Sequence, residues 1–261
     1  MGETIASHTN TLAVMLCALS ILLRLMRIAL LYNRDIYAQT ALGHLIPSMQ
    51  EQQLELFFSQ QVGRRVKRDP RLDKLSRAET TFSGTATLSF EELAVIASCK
   101  EQRIDNINSE GLERVADFEP DLIVSIRFGQ ILEEPVIAVP KFGVINLHSG
   151  LLPAYKGVMA SFWSLLNDER QLGTTLHWIT DSKIDSGAII STQQQQVDTS
   201  KTYLQQVLSL YEPGARQITE AVNDIEALAA QPHYDLPKGH YYSFPETADI
   251  DQFEAKGLRL L

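Results

Sequence analysis

Asn146 and His148 are the residues of this 261-residue chain whose types and spacing first suggest chemistry. They lie in "VINLHSGLLPAYKG", residues 144–157, where an apolar run of Val144, Ile145 and Leu147 carries an amide and an imidazole two positions apart. Strand side chains repeat every two residues, so the pair shares one face. An amide N–H beside an imidazole N–H can hold the negative charge that grows on a carbonyl oxygen during nucleophilic attack. Such a pair calls for a carboxylate to orient or protonate the imidazole and to manage protons. The segment "TDSKIDSGAII", residues 180–190, offers Asp185 in a turn between two strands, followed by Ser186 and Gly187, with Asp181 as a second option. A plainer alternative is an asparagine that caps a strand end and a histidine that satisfies a loop carbonyl. Asn-x-His alone does not choose between them.

The elements around these residues set an α/β pattern. "MRIALLYN" (Met26 to Asn33) has the form of a first parallel strand, followed by a helix from Asp35 to about Leu45 that Pro47 stops. "LELFFS" (Leu54 to Ser59) is a second strand. Gly63 to Thr87 is polar and charged without a clear period, and is expected to be a long loop. "SFEELAVIASCK" opens with Ser89 and carries Glu92 three residues on, the signature of a capping box. "SEGLERVADF" is a short helix with Ser109 as its cap, and "DLIVSI" (Asp121 to Ile126) is a buried parallel strand. Val158 to Asn167 is a helix, and "TTLHWIT" and "GAIISTQQQQV" are strands. Two further helices, "SKTYLQQVLSLYE" and "GARQITEAVNDIEALAAQ", are expected to be separated by Pro213-Gly214. Strands alternating with helices imply a mainly parallel sheet, whose sites collect at the carboxyl ends of the strands. The tail from Tyr234 to Leu261 is expected to pack back on this unit.

Composition narrows the function classes. An apolar fraction of 44% and a charged fraction of 21% are those of an ordinary globular protein. A net charge of −9 argues against broad binding to nucleic acid, which phosphate neutralisation drives. The one basic run, Gly63-Arg64-Arg65-Val66-Lys67-Arg68, reads most simply as a solvated loop. Two cysteines, Cys17 and Cys99, make neither a metal cluster nor a disulfide framework, so a reducing, cytoplasmic setting is expected. Leu12 to Leu23 is apolar but shorter than the roughly 20 residues of a membrane span. Its arginines follow it rather than precede it, unlike those of a secretory signal. Residues 1–25 are therefore expected to be an appendage, with Met26 a candidate start and a membrane not expected as a partner.

With these residues in place, the stretch from Pro120 to Ile190 resembles the catalytic domain of the formyltetrahydrofolate-dependent formyltransferases. That family includes the glycinamide ribonucleotide, methionyl-tRNA and amino-sugar enzymes. The resemblance rests on an ordered set: Asn-x-His at 146–148, Leu-Leu-Pro-x-Tyr-Lys-Gly at 151–157, Gly-Thr-Thr-x-His at 173–177 and Ile-Asp-Ser-Gly at 184–187. It implies a Rossmann-like, mainly parallel sheet flanked by helices, with residues 26–230 as catalytic domain and 231–261 as a tail packed on it. It further implies 10-formyltetrahydrofolate as co-substrate and no metal. Asn146 and His148 match the pair that polarises the formyl oxygen, and Asp185 matches the aspartate that assists proton transfer. Phe128, Gln130, Ile131 and Leu132 match the segment lining the pterin pocket, and the loop from Asp181 to Ser186 its other side. Arg127, Tyr155 and His177 are candidates for contact with the acceptor. Simple packing, or for Arg127 an acidic partner, is the competing expectation for each.

The chain departs from the family pattern in three places. Gly150 stands where a serine is usual. The glycine-rich turn that holds a phosphate after the first strand is replaced by "YNRDIYAQ". Only some 70 residues follow Ile190, which do not read as the β-barrel domain of the methionyl-tRNA enzymes. The expected function is N-formyl transfer to a small-molecule amine, either an amino-sugar nucleotide or an amino-acid-like acceptor. The alternatives are hydrolysis of the same donor, a methionyl-tRNA formyltransferase-like protein without the C-terminal domain, and a non-catalytic folate-binding module. A homodimer stays open.

Overall fold

Strand β1 (Arg27–Asn33) is buried on both faces, with Ile28, Leu30 and Tyr32 in one hydrophobic core and Ala29 and Leu31 in the other. This two-sided burial explains its unbroken apolar run. The computed structural model describes residues 25–60, 68–81 and 88–261. β1 pairs in parallel with β2 (Gln53–Ser59) and β4 (Leu122–Ile126), β2 with β3 (Glu101–Arg103), and β4 with β5 (Val144–His148). Two antiparallel strands, β7 (Gln171–Ile179) and β8 (Ile189–Gln196), complete the order β3-β2-β1-β4-β5-β7-β8. The expected mainly parallel, Rossmann-like sheet flanked by helices is thus present.

The flanking helices are α1 (Ile36–Ser48), α2 (Pro70–Thr81), α3 (Phe90–Ile96), α4 (Glu110–Phe118) and α5 (Glu134–Ile137). They continue with α6 (Ala160–Leu166), α7 (Tyr203–Leu208), α8 (Tyr211–Asn223), α9 (Ile225–Ala229) and α10 (Thr247–Ala255). Asp35 caps α1 by accepting from the Ala38 amide at 2.9 Å, and Ser89 and Glu92 form the expected capping box on α3.

Four local expectations need correction. The polar stretch from Gly63 to Thr87 contains α2, started by Asp69 and Pro70 and tied to the core by Leu72 and Leu75 at helical spacing. Ser109 stands at the N-cap of α4 but its hydroxyl caps nothing; it bonds the Glu110 carboxylate, which itself accepts the Asp105 and Asn106 amides. Pro47 does not stop α1 but lies within its last turn, where it supplies no N–H to the helical ladder. Pro213-Gly214 sits in the first turn of α8, and the break falls at Ser209–Leu210. A side chain at Gly214 would meet Leu147 Cδ2 at 2.8 Å, so the glycine lets α8 press on β5.

The tail packs back on the loop and helix that follow β5. Its strand β9 (His240–Tyr242) pairs in parallel with β6 (Tyr155–Gly157), and Phe253 of α10 stacks on Phe162 with ring centroids 4.5 Å apart. The apolar run Leu12 to Leu23 and the basic residues Arg64 to Lys67 lie outside the described residues. Among the described residues, no helix is long and apolar enough to cross a membrane.

Candidate active site

Strand β5 fixes the first two residues. Ile145 and Leu147 belong to the larger core, so Asn146 and His148 must project from the opposite face. A register slip of one residue would bury both polar side chains in that core. β7 supplies the next residue, because its antiparallel register sets His177 directly opposite Asn146 and Thr175 opposite His148.

Asp185 arrives from the β7–β8 connection. Its backbone is left-handed at φ 50°, and a side chain at Gly187 would come within 2.0 Å of the Trp178 carbonyl. The Asp-Ser-Gly turn therefore presses onto β7 and delivers the carboxylate beside both imidazoles. Asp185 Oδ2 lies 3.5 Å from His148 Nδ1, and Oδ1 lies 3.4 Å from His177 Nε2. The Gly157 amide donates to Asp185 Oδ2 at 2.7 Å. Arg127 and Met159 are also left-handed, at φ 59° and 54°, the kind of backbone strain that collects at functional sites.

The partners assign the ring protons. A carbonyl only accepts, so His148 Nε2–H donates to the Tyr155 carbonyl at 2.7 Å and His177 Nδ1–H to the Trp178 carbonyl at 2.9 Å. His177 Nε2 then accepts from Asn146 Nδ2 at 3.1 Å, which leaves the second amide N–H of Asn146 for another acceptor. Burial pushes the Asp185 carboxyl up, but the neighbouring His148 and the Gly157 amide outweigh it and hold the group at about 2. The site thus presents a donor amide, an imidazole and an ionised carboxylate on one face. The plainer expectation for His148, a bond to a loop carbonyl, is also met in this state.

The other sequence candidates divide. Arg127 stacks over Tyr37 at 4.6 Å and pairs with Asp35 at 3.1 Å, so an acid satisfies it. The Tyr155 ring stacks on Tyr242 and its hydroxyl donates to Glu169, so only its carbonyl faces the site. Gln130 spends its side chain on Ile107 N and Ile104 O. Leu132 is buried in the smaller core and Phe128 packs against that core, while Ile131 is exposed. Asp181 is tied to Lys183 at 2.7 Å and accepts from Ser186, so Asp185 is the carboxylate at the imidazoles. Sequence reasoning missed Gly157, Trp178 and Asp35, whose contributions are backbone groups or a helix cap.

Gly150 has a local reason. A Cβ there would lie 2.4 Å from Ala160 Cβ and 2.7 Å from His148 Nε2, so the serine that the resemblance leads one to expect does not fit this loop. A cavity of about 1000 Å³ opens at the carboxyl end of β1, lined by residues including Asn33, Asp35, Glu79, Arg127, Met159 and Phe244.

Comparison with known proteins gives the family and the fold. The chain is 34% identical over 127 residues to a methionyl-tRNA formyltransferase of Methylacidiphilum infernorum, covering 47% of this chain and 38% of that protein. It spans well under half the length of the curated relatives it matches. The structure of glycinamide ribonucleotide transformylase 1 from Symbiobacterium toebii superposes with a TM-score of 0.58 at 18% identity, covering 78% of this chain and 89% of that one. An N-formyltransferase from Helicobacter canadensis, solved with folinic acid and dTDP-3-aminofucose, gives 0.55 at 17% identity, covering 86% and 72%. At these identities the two structures show a shared fold. The model of the Formyl transferase family matches residues 45–222, well over half of the sequence, and on this match the chain belongs to that family.

Proposed function

We propose that this protein moves the formyl group of 10-formyltetrahydrofolate to the amine of a small molecule, an amino-sugar nucleotide or an amino-acid-like acceptor. The observation that carries the reading is the convergence of Asn146, His148 and Asp185 at the carboxyl end of β5. The uncharged acceptor amine attacks the formyl carbon, and the carbonyl electron pair moves onto the oxygen. Asn146 donates its free N–H to that oxygen, and His148 Nε2–H turns to it from the Tyr155 carbonyl. The attacking nitrogen, now cationic and acidic, passes its proton to Asp185 directly or through a water. Collapse of the intermediate expels the folate N10, which takes that proton from Asp185, and the carboxylate is regenerated. Ile131 and Ile184, apolar and exposed, suit the walls of a pterin pocket with Phe128. The cavity beside Arg127 suits the acceptor.

Residues 26–230 serve as the catalytic unit in this reading, and a cytoplasmic location suits the free Cys99. The names of the curated relatives favour methionyl-tRNA as a second reading of the acceptor, and a net charge of −9 weighs against it. The test incubates purified protein with 10-formyltetrahydrofolate alone and with an amine panel that includes charged initiator tRNA. Tetrahydrofolate release that requires a small amine supports the proposal. Release from donor alone identifies a hydrolase, and tight folate binding without turnover identifies a binding module.

A further inference from the structure

The tail segment 233–244 lies beyond the 45–222 stretch matched by the family model, yet it fastens both loops that hold the reactive groups. On the Asp185 side, the Leu236 amide donates to the Ser186 carbonyl at 2.8 Å, and the His233 ring stacks on Trp178 with centroids 4.4 Å apart. Asp235 stands 3.6 Å from Lys183 on the same loop. On the His148 side, β9 runs along β6, pairing His240 with Tyr155 and Tyr242 with Gly157. The Tyr242 carbonyl accepts the Val158 amide at 2.8 Å, and its ring stacks on Tyr155 and Trp163 at 5.5 and 5.0 Å. Gly239 sits so close to the Pro153 carbonyl that a Cβ would lie 1.7 Å from its oxygen.

Tyr155 and Gly157 are the two backbone positions that hold the catalytic pair, one through its carbonyl on His148 Nε2 and the other through its amide on Asp185 Oδ2. We infer that segment 233–244 is a positioning strap, and that Tyr242 and Gly239 act through Tyr155 and Gly157 to set the His148–Asp185 geometry for transfer. The inference rests on the proposed formyl transfer. A strap needs no contact with substrate to matter, because a displacement of about 1 Å in a reactive constellation can cost on the order of 10² in rate.

The test compares wild type with Tyr242→Ala, Tyr242→Phe and Gly239→Val in the full chain, at a temperature where each is folded by circular dichroism. Tyr242→Ala and Gly239→Val should lower kcat by ~10–10² with KM for the formyl donor unchanged, and should shift the downfield imidazole N–H resonance of His148. Tyr242→Phe, which keeps the ring stack and loses only the hydroxyl contact with Asn167, should restore kcat. If one of the two disruptive variants does not fold, the other carries the test. Wild-type kcat in a folded disruptive variant, with the imidazole signal unmoved, overturns the strap. No transfer by wild type with any amine overturns the formyl-transfer reading instead.

Discussion

Two histidines share one carboxylate in this site, and the way each ring is tied decides which protons remain for the proposed reaction. The Trp178 carbonyl fixes the proton of His177 on Nδ1, which makes Nε2 an acceptor and turns the NH₂ of Asn146 toward it. His148 differs, since its Nε2 proton rests on the Tyr155 carbonyl, and in the proposed reaction it would turn from there to the formyl oxygen. Asp185 binds this arrangement together, and its carboxyl at about 2 lies below the ordinary 3.8. A depressed carboxyl adds stability above the unfolded value and loses it as pH falls through the folded one, here between roughly pH 4 and 2. Wild type should therefore lose about 2 kcal/mol through that window, while Asp185→Asn should show a flatter stability curve there. Urea unfolding at several pH values measures the difference.

Elements explain why three distant residues meet. β5 was legible from its apolar run and β7 as a strand, and so were the capped helix at Ser89 and the face shared by Asn146 and His148. The polar stretch from Gly63 to Thr87 hid α2, because its charged residues mask the Asp-Pro start and the Leu72–Leu75 spacing. Elsewhere the sequence hid the roles of Tyr155, Gly157 and Trp178, which act through backbone atoms that any residue type carries. Gln130 and Leu132 were nominated by the family resemblance, and only packing shows one bonded to the Ile104–Ile107 backbone and the other in the core. Gly150 makes the point in reverse, as a departure from the family that three-dimensional contact accounts for. Gly150→Ser should cost ~1–3 kcal/mol through overpacking against Ala160, and should displace the His148 ring. Thermal denaturation and the imidazole proton spectrum check the two effects.

At the scale of the whole molecule, the sheet carries the site at one end, and the chain beyond residue 222 closes over that end. Phe253 from α10 is fully buried and stacked on Phe162 of the helix that follows the Leu151–Gly157 loop. Phe253→Ala should destabilise the fold by ~3–5 kcal/mol, read as a lowered urea midpoint with an unchanged slope. A surface-docked tail would show no such loss. The central claim concerns the reacting carbon itself, and single-turnover transfer from 10-formyltetrahydrofolate to an amine acceptor tests it most directly. Asn146→Ala and His148→Ala, each verified as folded, should slow formation of the formylated amine by ~10²–10³, and the double variant should lose little more than either alone. Transfer at the wild-type rate by both folded variants would contradict the account.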